Sequence, residues 1–229
     1  MLHPKSTAGA APPAPPAPRP SRARRRRLLV NRAIALLALA LVATGLALLS
    51  YPLATDLYTA RAQARLRAEF AAGVAGARPG PTGPVGQSHA LAVIEIPAIG
   101  LDEVVVEGTQ SEDLRAGPGH YSASPPPCGA GNAAIAGHRT TYGEPFNQLD
   151  QLTPGETITL ITRQATCTYE VLAPPPHQAI PRPGAAGWVV PPDAWSVVGP
   201  LPGNYLTLTT CTPKGSATDR LVVRAREIP

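Results

Sequence analysis

Residues 33–53 contain no charged side chain and consist almost entirely of Ala, Leu, Val and Ile. No other stretch limits the chain so strongly, because about 20 apolar residues rising about 1.5 Å each cross a bilayer core as a single helix. A cleaved signal peptide shares the order of arginines followed by apolar residues. Its apolar region runs about 7–15 residues, however, and this one is longer. The run therefore reads as one uncleaved transmembrane helix. Arg22, Arg24, Arg25, Arg26, Arg27 and Arg32 crowd the segment just before it. By the positive-inside rule, the N-terminus is then cytoplasmic and everything after the helix lies outside. The net charge is +5, but the basic residues are not spread as a nucleic-acid surface requires, so no nucleic-acid partner is expected.

The flanking segments read differently. Residues 1–32 form a tail of Ala-Pro repeats and arginines that lacks the apolar side chains needed to offset ordering entropy, and disorder is expected there. Past the apolar run, residues 54–89 divide into a short polar helix near 56–72 and a Gly/Pro-rich stalk over 77–88. The remaining residues, 90–229, make one folded domain. With 29 Pro and 21 Gly against two Phe and two Trp in the whole chain, this domain is expected to have many turns and a core of small aliphatic residues. Short strand candidates follow one another at 91–96, 103–106, 132–136, 157–162, 168–172, 205–210 and 221–225. Turn signals such as Pro154-Gly155 and Pro202-Gly203 separate them, which indicates an all-β barrel or sandwich. Residues 146–152 could add a helical turn or two.

Chemistry concentrates at the last two strands. Apolar and β-branched residues alternate up to Cys211, Pro213 and Gly215 break the pattern, and Leu221-Val222-Val223 resumes it. Two antiparallel strands joined by that loop would bring Arg220 back beside Cys211. A fixed cation next to a thiol favours the nucleophilic thiolate. A buried structural cysteine near a surface arginine would leave the same residues. Upstream, a strand runs into Gly137-His138-Arg139-Thr140-Thr141-Tyr142-Gly143. A lone histidine after a strand is commonly structural, but together with Cys211 and Arg220 it completes a set of nucleophile, proton carrier and oxyanion cation.

These residues resemble the sortases, the membrane-anchored cysteine transpeptidases of bacterial cell surfaces. The similarity rests on Thr209-Thr210-Cys211 followed by Arg220, with Gly137-His138 upstream, and covers residues 91–227. Gly117-Pro118-Gly119-His120-Tyr121 and Leu208-Thr209-Thr210-Cys211-Thr212-Pro213 look most like class E, with class D the alternative. The resemblance implies a closed, sortase-type β-barrel of about eight strands with short helices, preceded by one transmembrane helix. It also implies that Cys211 forms a thioester with the Thr of a C-terminal LAxTG or LPxTG sorting signal. His138 would move the protons, Arg220 would hold the oxyanion, and Tyr121 and Thr210 would contact the substrate. Secreted proteins bearing that signal would be the donors, an amine of a cell-wall precursor or pilin the acceptor, and no cofactor would be required.

Two further cysteines depart from the pattern. Outside the membrane, thiols tend toward oxidation, and pairing Cys128 with Cys167 would leave Cys211 free, as the resemblance demands. Zinc is a weaker reading, because the three cysteines lack close Cys-x-x-Cys spacing. A hydrolase of the same fold, or a non-catalytic anchored binding module, would fit many of the same residues.

Overall fold

The computed structural model describes residues 22–75, 89–176, 180 and 182–229. The Ala-Pro repeats and the stalk expected at 77–88 lie outside those residues.

One helix, α1 (Arg22–Val74), carries the apolar run and continues well beyond it. It is the one helix among the described residues that is long and apolar enough to cross a membrane, with a mean hydropathy of 2.5 over its most apolar stretch. It begins at Arg22, inside the segment expected to be disordered. Arginine and leucine are good helix formers, and adding residues to an existing helix costs far less than nucleating one. No break separates the apolar run from the polar helix after it, since α1 passes through Pro52.

The remaining elements build a barrel. In chain order they are β1 (Ala90–Ile96), β2 (Leu101–Glu107), α2 (Ser111–Ala116), β3 (Gly119–His120), β4 (Gly131–Ala136), β5 (Thr157–Thr162), β6 (Thr166–Val171), β7 (Trp188–Val190), β8 (Asn204–Thr212) and β9 (Asp219–Ile228). The sheet order is β6-β5-β1-β2-β3-β4-β8-β9-β7, and an additional β6–β9 pairing closes eight strands into a barrel. Closure leaves no free edge among those eight strands, and β7 adds a short flap on β9. All seven expected strands are present. The two that were not anticipated, β3 and β7, have two and three residues, too few for an alternation pattern to register. Residues 146–152 contain a single 3-10 turn at Leu149–Gln151.

Strand alternation sorts side chains between two cores. Ala92, Ile94, Ile96, Val105, Ile135, Leu160, Leu206, Leu208 and Val223 fill the barrel interior. Val93, Val104 and Val106 point outward and are covered by Leu66 and Phe70 of α1. Ala90 joins the outer set although Ala92 faces inward, because the β1–β2 register shifts between those two residues, and a bulge reverses the facing of a strand. On α1 the buried stripe is Thr55, Thr59, Gln63, Leu66 and Phe70, a spacing of three and four that keeps one helical face on the barrel. The compact unit accordingly starts at Ser50, and not at residue 90. Three polar residues open that stripe, which hides it from a reading based on hydrophobic periodicity.

Candidate active site

Antiparallel pairing of β8 with β9 places Cys211 directly opposite Arg220. The loop between them is the one bounded by Pro213 and Gly215, so the register predicted from the strand-turn-strand pattern is the one observed. On the other side, β4 runs parallel to β8 with Ala136 beside Thr209. Two residues further on, the chain has left β4 and reached His138, while β8 is still paired at Cys211, one residue before its end at Thr212. Parallel neighbours lie about 4.8 Å apart, which brings imidazole and thiol to the same end of the barrel.

A single cleft of about 250 Å3 receives Cys211, His138, Arg220, Tyr121 and Thr210, with Trp195 and Val198 on the β7–β8 connection as apolar wall. Its size suits part of an extended peptide and excludes a folded partner. Trp195 is exposed at the rim.

Each functional side chain is held differently. Cys211 is half-buried and is the free cysteine, while Cys128 and Cys167 are joined with 5.7 Å between their Cα atoms. Arg220 donates through Nη1 to the carbonyls of Ala217 and Asp219, 3.0 Å each. No ion pair to Arg220 occurs among the described residues, and the residue lines the cleft. Burial first, and the Arg115 guanidinium second, keep the His138 imidazole below its ordinary pKa. Both causes act the same way, since each disfavours a second positive charge.

Thr210 and Tyr121, named from the resemblance as substrate contacts, also have partners of their own. The buried Thr210 hydroxyl donates to the Gly137 carbonyl at 2.8 Å, which ties the residue before Cys211 to the residue before His138. Tyr121 Oη and Thr209 Oγ1 share a hydrogen bond of 3.0 Å, setting the tyrosine ring along the cleft.

Arg139 was not singled out from sequence, and it is the most deeply placed cation of the region. Only 6% exposed, it donates from Nη1 to the Cys211 carbonyl at 3.4 Å and meets Asp150 Oδ1 through Nη2 at 3.0 Å. Asn147 Nδ2 donates to its carbonyl at 2.9 Å. A signal did exist, in the Asp150 and Asn147 of residues 146–152, but nothing local says that they fold back onto Arg139. The neighbouring histidine, His120, is occupied elsewhere: Nδ1 lies 2.9 Å from Glu107 Oε2 and Nε2 lies 2.9 Å from the Pro125 carbonyl. His177 lies outside the described residues. Among the described residues, no cluster of His, Cys, Asp and Glu could hold a metal ion.

An eight-stranded barrel with a free thiol, an imidazole and a guanidinium converging at one end describes a class of protein, and the comparisons narrow it. Residues 94–228 match the family description "Sortase domain". Sortase SrtE1 of Streptomyces coelicolor is 33% identical over 153 residues, which cover 60% of this chain and 40% of that relative. The chain thus matches about two fifths of that relative's length. A crystal structure of Sortase E1 from Streptomyces coelicolor with a tripeptide in its active site aligns with TM-score 0.53 and 30% identity, covering 61% of this chain and 88% of that one. A Sortase D5 transpeptidase of Clostridium perfringens aligns with TM-score 0.57 at 23% identity over 77% of this chain and 99% of the other, a likeness of fold. The chain belongs to the sortase family, and among its classes it is most like class E.

Proposed function

We propose that this protein is a membrane-anchored cysteine transpeptidase that cleaves a C-terminal LAxTG or LPxTG sorting signal between Thr and Gly and passes the acyl group to an amine. The observation that carries the proposal is the Cys211–Arg220 register pair opening onto the cleft that also receives His138. In the first half-reaction, the Cys211 thiolate adds to the threonine carbonyl and the negative charge moves onto oxygen, where the Arg220 guanidinium stabilises it. The intermediate collapses, the C–N bond to glycine breaks, and the departing amine takes its proton from His138. In the second half, an incoming amine adds to the thioester and gives its proton to His138, and the C–S bond breaks. Thr210 serves this scheme by fixing the spacing between β8 at Cys211 and the loop at His138, and Tyr121 by lining the cleft beside the scissile residue.

The long apolar helix supports a single-pass anchor in a bacterial cell membrane with the barrel outside, where secreted proteins carrying the signal, and cell-wall or pilin amines, are within reach. The test uses the full chain in detergent with an LAxTG peptide. With no acceptor added, mass spectrometry should find the acyl group on Cys211. With an oligoglycine amine, the ligated peptide should replace it. Cys211→Ala should form neither product while keeping its melting temperature within a few degrees. Peptide cleavage by Cys211→Ala would end the proposal, and release to water at the same rate with and without amine would make the protein a hydrolase.

A further inference from the structure

The loop that carries His138 is strained and leans on α1. Tyr142, Gly143 and Glu144 all take positive φ, at 53, 74 and 42 degrees, a conformation that costs energy at the two non-glycine positions and persists only where the surroundings hold it. The Tyr142 ring packs on His138, with centroids 5.3 Å apart and planes 30 degrees from parallel. Arg115 of α2 also sits over that ring, its Cζ 5.8 Å from the centroid.

Both supports are fastened to a single turn of α1. The Asp56 carboxylate accepts from the Gly143 N–H at 3.0 Å. Tyr58 meets the Tyr142 ring edge-on at 6.3 Å. The buried Thr59 hydroxyl donates to the Arg115 carbonyl at 2.9 Å. Each contact joins elements far apart in sequence, and none is needed to close the barrel.

From this geometry we infer that Asp56, Tyr58 and Thr59, in the turn of α1 just beyond the membrane-spanning run, are positioning residues for His138. Through Tyr142 and Arg115 they set where the imidazole stands relative to Cys211. The segment that anchors the enzyme would thus also complete its active site. The inference rests on the transpeptidase reading, in which His138 moves a proton in both half-reactions. A proton carrier out of place by about 1 Å can cost about a hundredfold in rate, whereas the ground-state contacts to a peptide in the cleft would persist. Besides Arg115 and Tyr142, the groups on neighbouring elements that share the cleft with His138 are Cys211 and Arg220 from β8 and β9 and Tyr121 after β3.

The experiment compares the full chain in detergent with Asp56→Ala/Tyr58→Ala, two side chains that are exposed and so dispensable for folding. We expect kcat for LAxTG peptide transfer to oligoglycine to fall about tenfold with KM unchanged within about twofold, the pattern of a lost transition-state interaction. Alkylation of Cys211 by iodoacetamide should keep its rate. In a Cys211→Ala background, the NMR titration of the His138 ring should move up toward the ordinary imidazole value, because a released Tyr142 ring uncovers it and Arg115 drifts away. Asp56→Asn, whose amide oxygen still accepts from Gly143, should recover most of the rate. Arg67→Ala, which removes the α1–Asp102 ion pair without touching the loop, should stay near wild type. Should the double variant prove poorly folded, Tyr142→Asn cuts the same relay from the loop side while tolerating positive φ.

Unchanged kcat with an unchanged His138 titration overturns the inference. So does an equal loss in Arg67→Ala, which would make docking of the whole helix the cause. A wild-type chain that transfers no acyl group, yet shows the titration shift in the double variant, refutes the transpeptidase reading and leaves the positioning intact.

Discussion

Arg220 faces Cys211 across a register pair, so its charge and its shape can be separated by one substitution. Lysine keeps the charge, but an ammonium cannot donate to loop carbonyls and to an oxyanion in the planar fork that a guanidinium presents. A lost oxyanion donor is worth about 2.7–4 kcal/mol. Arg220→Lys should therefore turn over roughly 100-fold to 1,000-fold more slowly, while Cys211 alkylates at close to the native rate. Full turnover in Arg220→Lys would show that the fork is unnecessary. Glu103 offers a second residue-scale test. Desolvation raises its carboxyl to about 7, with Arg67 opposing and Asp102 adding, and its Oε2 has no hydrogen-bond partner among the described residues. Between the unfolded value of 4.5 and about 7, the native state binds more protons than the unfolded chain does. Stability should then fall as pH rises through that window, by up to about 3 kcal/mol in all. Glu103→Gln should raise the urea midpoint at pH 8 and change little at pH 4.

Among elements, the junction of α1 with the barrel matters most, and Gln63 is its polar centre. Its Nε2 donates to the carbonyls of Val104 and Ala116 at 3.0 and 2.8 Å, and its Oε1 accepts from the Val104 N–H at 2.7 Å. These groups are buried, so Gln63→Ala leaves them unpaired and should destabilise the unit by about 2–4 kcal/mol, read as a shift in the urea midpoint. Gln63→Glu should be worse at pH 8 than at pH 4, because the carboxylate loses both donated bonds. The strands were readable one by one from their alternation. The docking of α1 was not, since a stripe that opens Thr55, Thr59, Gln63 resembles a solvated face until β2 and α2 supply its hydrogen-bond partners.

For the molecule as a whole, the Cys128–Cys167 bond closes a sequence separation of 39 residues and ties β6 to the β3–β4 connection. On the chain-entropy account, losing it should cost about 3–4 kcal/mol. Cys128→Ser/Cys167→Ser should show that loss in equilibrium denaturation, with Cys211 still labelled by iodoacetamide in the native protein. The apolar run, the seven strands with visible alternation, and the Cys211–turn–Arg220 arrangement were determined by the sequence itself, because each depends on local periodicity or on one tight connection. Only the tertiary structure decided that α1 continues unbroken past the apolar run and joins the barrel, that Arg139 is buried beneath Cys211, that β3 and β7 are strands at all, and that Tyr142 and Arg115 stand behind His138. The reason is physical: all of these depend on contacts between residues distant in the chain, and no local propensity at Asp56 or Tyr142 records which partner closure of the barrel will bring to it.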